Sequence, residues 1–236
     1  MTGLGWAAGP LAVFDTESTG VDTETDRIVT SCVAVVNAEP REAPATWLIN
    51  PGVEIPAEAT AIHGVTTQAA VESGRPPAEA LAEIRARLID AWELGRPVVA
   101  YNATYDLTIL DRELRRYGLP DLQCAIGLVI DPLVLDRAVD RFRRGSRKLH
   151  AVCAHYAVRL DGAHDSTQDA LAAGRVAWRI AQRYPEIAAM GWDDLFAFQA
   201  KAHAAWAAGF EAYLRSQGKG DVIDRSWPIR RASVTA

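Results

Sequence analysis

Leu11-Ala12-Val13-Phe14 is an unbroken apolar run that ends on Asp15-Thr16-Glu17. A run this short and this apolar suits a central strand buried on both faces, because a half-exposed strand would alternate. In extended chain, residues i and i+2 share a face, so the run closes by presenting two carboxylates side by side. Like charges that close raise each other's pKa unless a cation neutralises them. Hard oxygen donors of this kind suit Mg²⁺ or Mn²⁺ rather than zinc.

A central strand needs neighbours, and the following residues supply them. Ile28 to Asn37 is rich in β-branched residues and reads as a second strand, and Ala45 to Asn50 as a third, closed by Pro51-Gly52. These three imply an antiparallel meander. Pro77 to Leu94 then has Leu81, Ile84, Leu88 and Ile89 near helical spacing. Pro97 to Ala100 is a fourth short strand, Thr104 to Tyr117 a helix ending at Gly118, and Leu128 to Ile130 a fifth strand. Helical patterns follow at Leu133–Phe142, Lys148–Val158, Thr167–Tyr184 and, rich in alanine and aromatics, Gly191–Gln217. Strands first and then strand–helix alternation give an α/β fold with a mixed sheet flanked by helices. The division expected is a domain over residues 1–185 and a C-terminal helical extension over 186–236, whose last part, from Gly218, reads as irregular.

Composition narrows the class. At 236 residues, with 49% hydrophobic and 23% charged residues, the chain can bury a sizeable core and does not read as disordered. No apolar run approaches the ~20 residues of a membrane helix, and Met1 to Pro10 lacks the pattern of a signal peptide. Cys32, Cys124 and Cys153 are odd in number and widely spaced, which reads as reduced thiols and a cytoplasmic setting. The net charge of −5 argues against a protein that coats nucleic acid non-specifically. It does not exclude an enzyme that takes one strand end, because bound divalent metal supplies local positive charge. Neither a G-x-G-x-x-G nor a G-x(4)-G-K-[ST] loop is present, which disfavours a nucleotide-binding enzyme.

Each remaining candidate also has an ordinary structural reading. Asp15 and Glu17 can simply open the polar turn through Thr19-Gly20. Asp106 falls in the first turn of a helix, where the dipole favours a carboxylate anyway. His164 lies in the loop before a helix that Ser166 or Thr167 can cap, with Asp169 in the first turn. A loop histidine beside carboxylates can accept a proton from water, or can merely be solvated.

Order and spacing separate these readings. Phe14-Asp15-Thr16-Glu17-Ser18-Thr19-Gly20 resembles the first motif, FD-x-E-x-TG, of the DEDDh exonuclease family. Tyr101-Asn102-Ala103-Thr104-Tyr105-Asp106 is similar to the second motif, and His164-Asp165-Ser166-Thr167-Gln168-Asp169-Ala170 to the third, H-x(4)-D-A. Ile55-Pro56, Ile62-His63-Gly64-Val65-Thr66 and Asp131-Pro132-Leu133-Val134-Leu135-Asp136 resemble intervening family segments. The match spans about residues 11 to 185 in family order. Its wording is most similar to the proofreading epsilon subunit of bacterial DNA polymerase III and its stand-alone homologues.

The resemblance implies an RNase H-like fold, with a five-stranded mixed sheet and helices on both sides. It implies that Asp15, Glu17, Asp106 and Asp169 hold two divalent metal ions, Mg²⁺ or Mn²⁺, and that His164 is the general base of a 3′→5′ exonuclease. Thr16, Ile62, His63, Asn102 and Tyr105 match positions around the terminal nucleotide. The implied partner is a single-stranded DNA 3′ end, with RNA 3′ ends as the alternative. A polymerase or other replication or repair protein is a further candidate partner. A catalytically silent scaffold is disfavoured, because all five central residues are intact.

Two segments stay open. Arg137 to Lys148 concentrates positive charge, and Arg143, Arg144 and Arg147 can either contact phosphates or form a solvated helix end. The extension can pack as an aromatic-rich helix or dock a partner, and its Ala-rich helical spacing favours packing.

Overall fold

The computed structural model describes residues 5–40, 42–160 and 164–231. Its sheet has the order β3-β2-β1-β4-β5, from β1 (Leu11–Ser18), β2 (Ile28–Val36), β3 (Ala45–Leu48), β4 (Val98–Val99) and β5 (Val129–Ile130). β1, β2 and β3 form the antiparallel meander, whereas β4 and β5 run parallel to β1. This is the mixed five-stranded sheet that the strand pattern implied.

β1 is central, and its alternate residues serve two cores. Ala12 and Phe14 face a layer with Leu81, Ile84, Leu88, Leu107 and Leu110, supplied by α3 (Pro77–Glu93) and α4 (Ala103–Arg116). Leu11 and Val13 face the opposite layer, with Val176, Ala177 and Ile180 of α7 (Ser166–Arg183). A strand covered on both sides has no solvent face to make polar, hence the unbroken apolar run. Gly174 lets α7 lie close on β1, since a Cβ there would stand 2.6 Å from Val13 Cγ1.

Several helices refine the sequence reading. α1 (Ala57–His63) and α2 (Thr67–Ser73) follow β3, in a stretch where no helix was expected. α5 (Pro132–Val139), α6 (Leu149–His155), α8 (Pro185–Ala188) and α9 (Trp192–Ser216) complete the set among the described residues. The cap of α7 is Asp165, whose carboxylate accepts from Thr167 N and Gln168 N; it is neither Ser166 nor Thr167. Cys32 and Cys153 are buried free thiols, and Cys124 is exposed. No helix among the described residues is long and apolar enough to cross a membrane.

The extension divides in two. The first half of α9 packs: Leu195, Phe196, Phe198 and Ala200 join the cores. Gln199 is fully buried and bridges the end of β5, donating to Val129 O and accepting from Asp131 N. The segment after α9 has no regular structure yet is pinned. Trp227 and Ile229 are buried, Arg230 N donates to Thr108 Oγ1, and Arg112 donates to Arg230 O.

Candidate active site

The C-terminal ends of β1, β4 and β5 open into one cleft of about 750 Å³. Ligands of open α/β sheets bind at this end, where chains diverge and leave backbone groups free. Asp15, Thr16 and Glu17 from β1, Asn102, Tyr105 and Asp106 from the start of α4, and His164 and Asp169 from the start of α7 all line it.

Each carboxylate is placed by local chemistry. β4 is only two residues long and pairs with Ala12 and Val13, so β1 continues past it. Thr16 N then donates to Asp106 Oδ1 at 3.0 Å, with Thr16 Oγ1 adding a second bond at 2.8 Å. Those bonds couple the first turn of α4 to the strand end. Asn102 enters the helix with φ +64, a conformation that asparagine tolerates. Asp131 holds that turn: its carboxylate accepts from Asn102 N and Ala103 N at 3.0 Å each, and also caps α5. Because Gln199 fixes the Asp131 backbone, the extension is tied to the site through one buried chain of hydrogen bonds.

His164 has φ +68 and donates its backbone N–H to Asp169 Oδ2 at 3.2 Å. Glu17, His164 and Asp169 each offer a ligand atom within 4.8 Å of the others. Asp169 Oδ1 is buried with no hydrogen-bond partner. A buried carboxylate oxygen left unpaired is costly, and a cation is the partner this group lacks.

Charge crowding points the same way. Burial, then the charges of Asp106, Glu17, Asp169 and Asp165, push Asp15 well above the usual carboxylate range. Burial and the neighbouring aspartates raise Glu17 to about 7, and burial raises Asp106 to about 7 against the bonds from Thr16. Asp169 is also raised, first by burial. The donor set therefore fits hard divalent cations. Carboxylates with raised folded-state pKa values bind more protons folded than unfolded, so the metal-free protein loses stability as pH climbs from about 4.5 through about 7. Saturating Mg²⁺ or Mn²⁺ should raise Tm by on the order of 5 °C at pH 7.5 and by much less at pH 5. A thermal melt with equal gains at both pH values would contradict this charge assignment.

The remaining candidates separate. Thr16, Asn102 and Tyr105 line the cleft, and the Tyr105 hydroxyl is held by Gly20 O and Ser18 Oγ. Ile62 and His63 lie on α1 outside the cleft lining. Ile62 is 55% exposed, while burial and nearby His164 hold His63 below the usual imidazole range. Among the basic residues, Arg143 and Arg147 both bind buried Asp136 at 2.6 Å, and Arg147 also donates to the Asp136, Asp140 and Arg143 carbonyls. Arg143 and Arg144 do not line the cleft, and Arg147 does so with both terminal guanidinium nitrogens engaged. The lining cations whose side chains donate to no oxygen among the described residues are those of Arg137 and Lys148.

Comparison with known proteins agrees with this geometry. The RNase T family model, described as an exonuclease, matches residues 12–177. A DNA polymerase III subunit epsilon-like protein of Rhodobacter capsulatus is 43% identical over 105 residues, covering 43% of this chain. A PolC-type DNA polymerase III of Oceanobacillus iheyensis is 26% identical over 174 residues, 74% of this chain. The chain spans only 14% and 12% of the lengths of these relatives. Among solved structures, exonuclease I of Methylocaldum szegediense has a TM-score of 0.63 at 25% identity, covering 86% of this chain and 45% of that one. Escherichia coli exonuclease I in complex with a dT13 oligonucleotide has a TM-score of 0.65 at 20% identity, covering 76% and 42%.

Proposed function

Since the chain belongs to the DEDDh 3′→5′ exonuclease family of the RNase H-like superfamily, we propose that it hydrolyses the terminal phosphodiester of DNA from single-stranded or frayed 3′ ends. The observation that carries the reading is the convergence of Asp15, Glu17, Asp106 and Asp169 on one cleft, with His164 beside Glu17 and Asp169.

The four carboxylates would hold two divalent cations, which supply Lewis acidity and offset the charge of the phosphate. His164 takes a proton from a water molecule onto an imidazole nitrogen. The water oxygen forms a bond to the phosphorus of the last phosphodiester, the P–O3′ bond breaks, the freed 3′ oxygen of the shortened strand takes up a proton from solvent, and a nucleoside 5′-monophosphate leaves while His164 returns its proton to solvent. Thr16, which holds Asp106, together with Asn102 and Tyr105, shapes the floor on which the terminal nucleotide rests. Ile62 and His63 on α1 would close over that nucleotide.

The choice of DNA is supported by relatives named as DNA polymerase III proteins and by the fold of an exonuclease solved with an oligothymidylate. The same relatives support a polymerase as a candidate partner. The deciding assay uses matched single-stranded DNA and RNA, labelled at the 5′ end, with Mg²⁺, Mn²⁺ or chelator. A descending ladder on DNA that vanishes in chelator is expected. Cleavage that persists in chelator overturns the mechanism, and faster loss of RNA moves the substrate to RNA 3′ ends.

A further inference from the structure

The second half of α9 behaves unlike the first. Trp206, Phe210 and Tyr213 belong to neither core, yet their rings stack in series, with centroids 5.5 and 6.4 Å apart and planes within 18° of parallel. Phe210 is 37% exposed and Tyr213 58%. Helical spacing explains why they align: positions 206, 210 and 213 recur at i, i+4 and i+7. It does not explain why three large rings stand at the surface rather than in the core.

The first ring touches the cleft through one residue. The Arg137 guanidinium lies 3.8 Å from the centre of the Trp206 ring, and Arg137 lines the same cleft as the four carboxylates. It is half-buried, and its side chain donates to no oxygen among the described residues. Arg143 and Arg147, by contrast, are spent on Asp136. A guanidinium held over an indole face by its carbon leaves N–H groups for another partner, and arginine can take phosphate in a bidentate fork. Lys148 adds a second cation to the same lining.

We infer that Arg137, braced by Trp206, binds a backbone phosphate of the strand upstream of the scissile end, and that Tyr213, at the outer end of the ring stack, offers its free face to one of the strand's bases. This rests on the exonuclease reading, because a strand whose 3′ end enters the cleft must leave it across a neighbouring surface. Charge and surface both favour nucleic acid there: cations at the mouth, then the exposed Tyr213 ring, whose face accepts any base. From Trp206 to Tyr213 the helix rises about 10 Å, a distance that roughly three nucleotides of strand span, so the base on Tyr213 lies that far upstream of the phosphate on Arg137. The extension would thus add strand affinity to a domain whose net charge is otherwise unfavourable.

The test measures the anisotropy of 5′-fluorescein-labelled (dT)12 in chelator, where cleavage does not intervene. Arg137→Gln and Trp206→Leu should each weaken binding about tenfold, and the double variant should be little worse than either, since the two act as one unit. Trp206→Phe should restore much of the loss. Arg137→Gln should make the salt dependence shallower by about 0.7 in log–log slope. With metal, it should raise the KM for (dT)12 more than it lowers kcat. Tyr213→Ala should weaken (dT)12 but not (dT)4. Binding by Arg137→Gln within twofold of the unaltered protein overturns the inference, as does a double variant whose losses add. Should Trp206→Leu fail to fold, Arg137→Gln and Trp206→Phe decide alone. Hydrolysis of the nitrophenyl ester of thymidine 5′-monophosphate by the unaltered protein reports the catalytic reading separately. Its failure sinks that reading and leaves the binding result interpretable.

Discussion

Asp15→Asn is expected to lower single-turnover release of the terminal nucleotide about a thousandfold or more while making the metal-free protein more stable. Both effects come from the same carboxylate. Asp15 sits where the charges of Asp106, Glu17, Asp169 and Asp165 all act on it. Asparagine has nearly the same shape, so β1 and its register with Cys32 of β2 should persist. It removes one charge from the cluster, which relieves repulsion on folding, and Tm in chelator should rise. The gain in Tm on adding Mg²⁺ should shrink, because a hard ligand has been replaced by a neutral amide. A surface carboxylate would show neither effect, and a purely structural one would lower Tm. Activity within tenfold of the unaltered protein, or a fall in metal-free Tm, removes Asp15 from the metal role.

The sequence exposes this residue readily because its signal is local. An apolar run followed by acids at i and i+2 specifies a buried strand and a shared face before any tertiary structure is known. Asp106 is less visible, since an acid in the first turn of a helix is ordinary. What singles it out is the bond to Thr16, ninety positions away in the chain. Asp131 and Gln199 were missed as a pair for the same reason. Asp131 was noted only as part of a segment, and Gln199 looks like any polar residue of a helix until packing sets it against the end of β5.

The pairing of the cations was hidden for a different reason. Arg143 and Arg147 look free in sequence because their partner, Asp136, lies among apolar residues of α5 and is fully buried. Charge runs can be counted from sequence, but their pairing cannot. α1 and α2 escaped because each spans seven residues, too few for a clear apolar period. The packing that the alanine-rich spacing favours is visible along α9. Buried residues run along one face of α9 as far as Glu211, while Phe210 and Tyr213 stand exposed on another.

His164 poses the sharper choice, because it stands close enough to Glu17 and Asp169 to be either a ligand or a base. The two roles separate when turnover and metal response are measured together. As the base, His164→Ala should lose about a hundred- to ten-thousandfold in turnover while keeping most of the Tm gained on adding Mg²⁺ or Mn²⁺. As a ligand, it should lose that gain in step with activity, as Asp15→Asn does. The backbone needs its own control, since φ at this position is +68 and its N–H anchors Asp169. Asparagine adopts that conformation readily, so His164→Asn should keep the loop in place yet turn over as slowly as His164→Ala. Turnover by His164→Asn within about threefold of the unaltered protein would assign any loss in His164→Ala to the loop rather than to proton transfer. The base reading also has a positional argument: the N–H that donates to Asp169 fixes where the imidazole begins, so a proton acceptor at His164 and a metal ligand at Asp169 would be held in register by one bond.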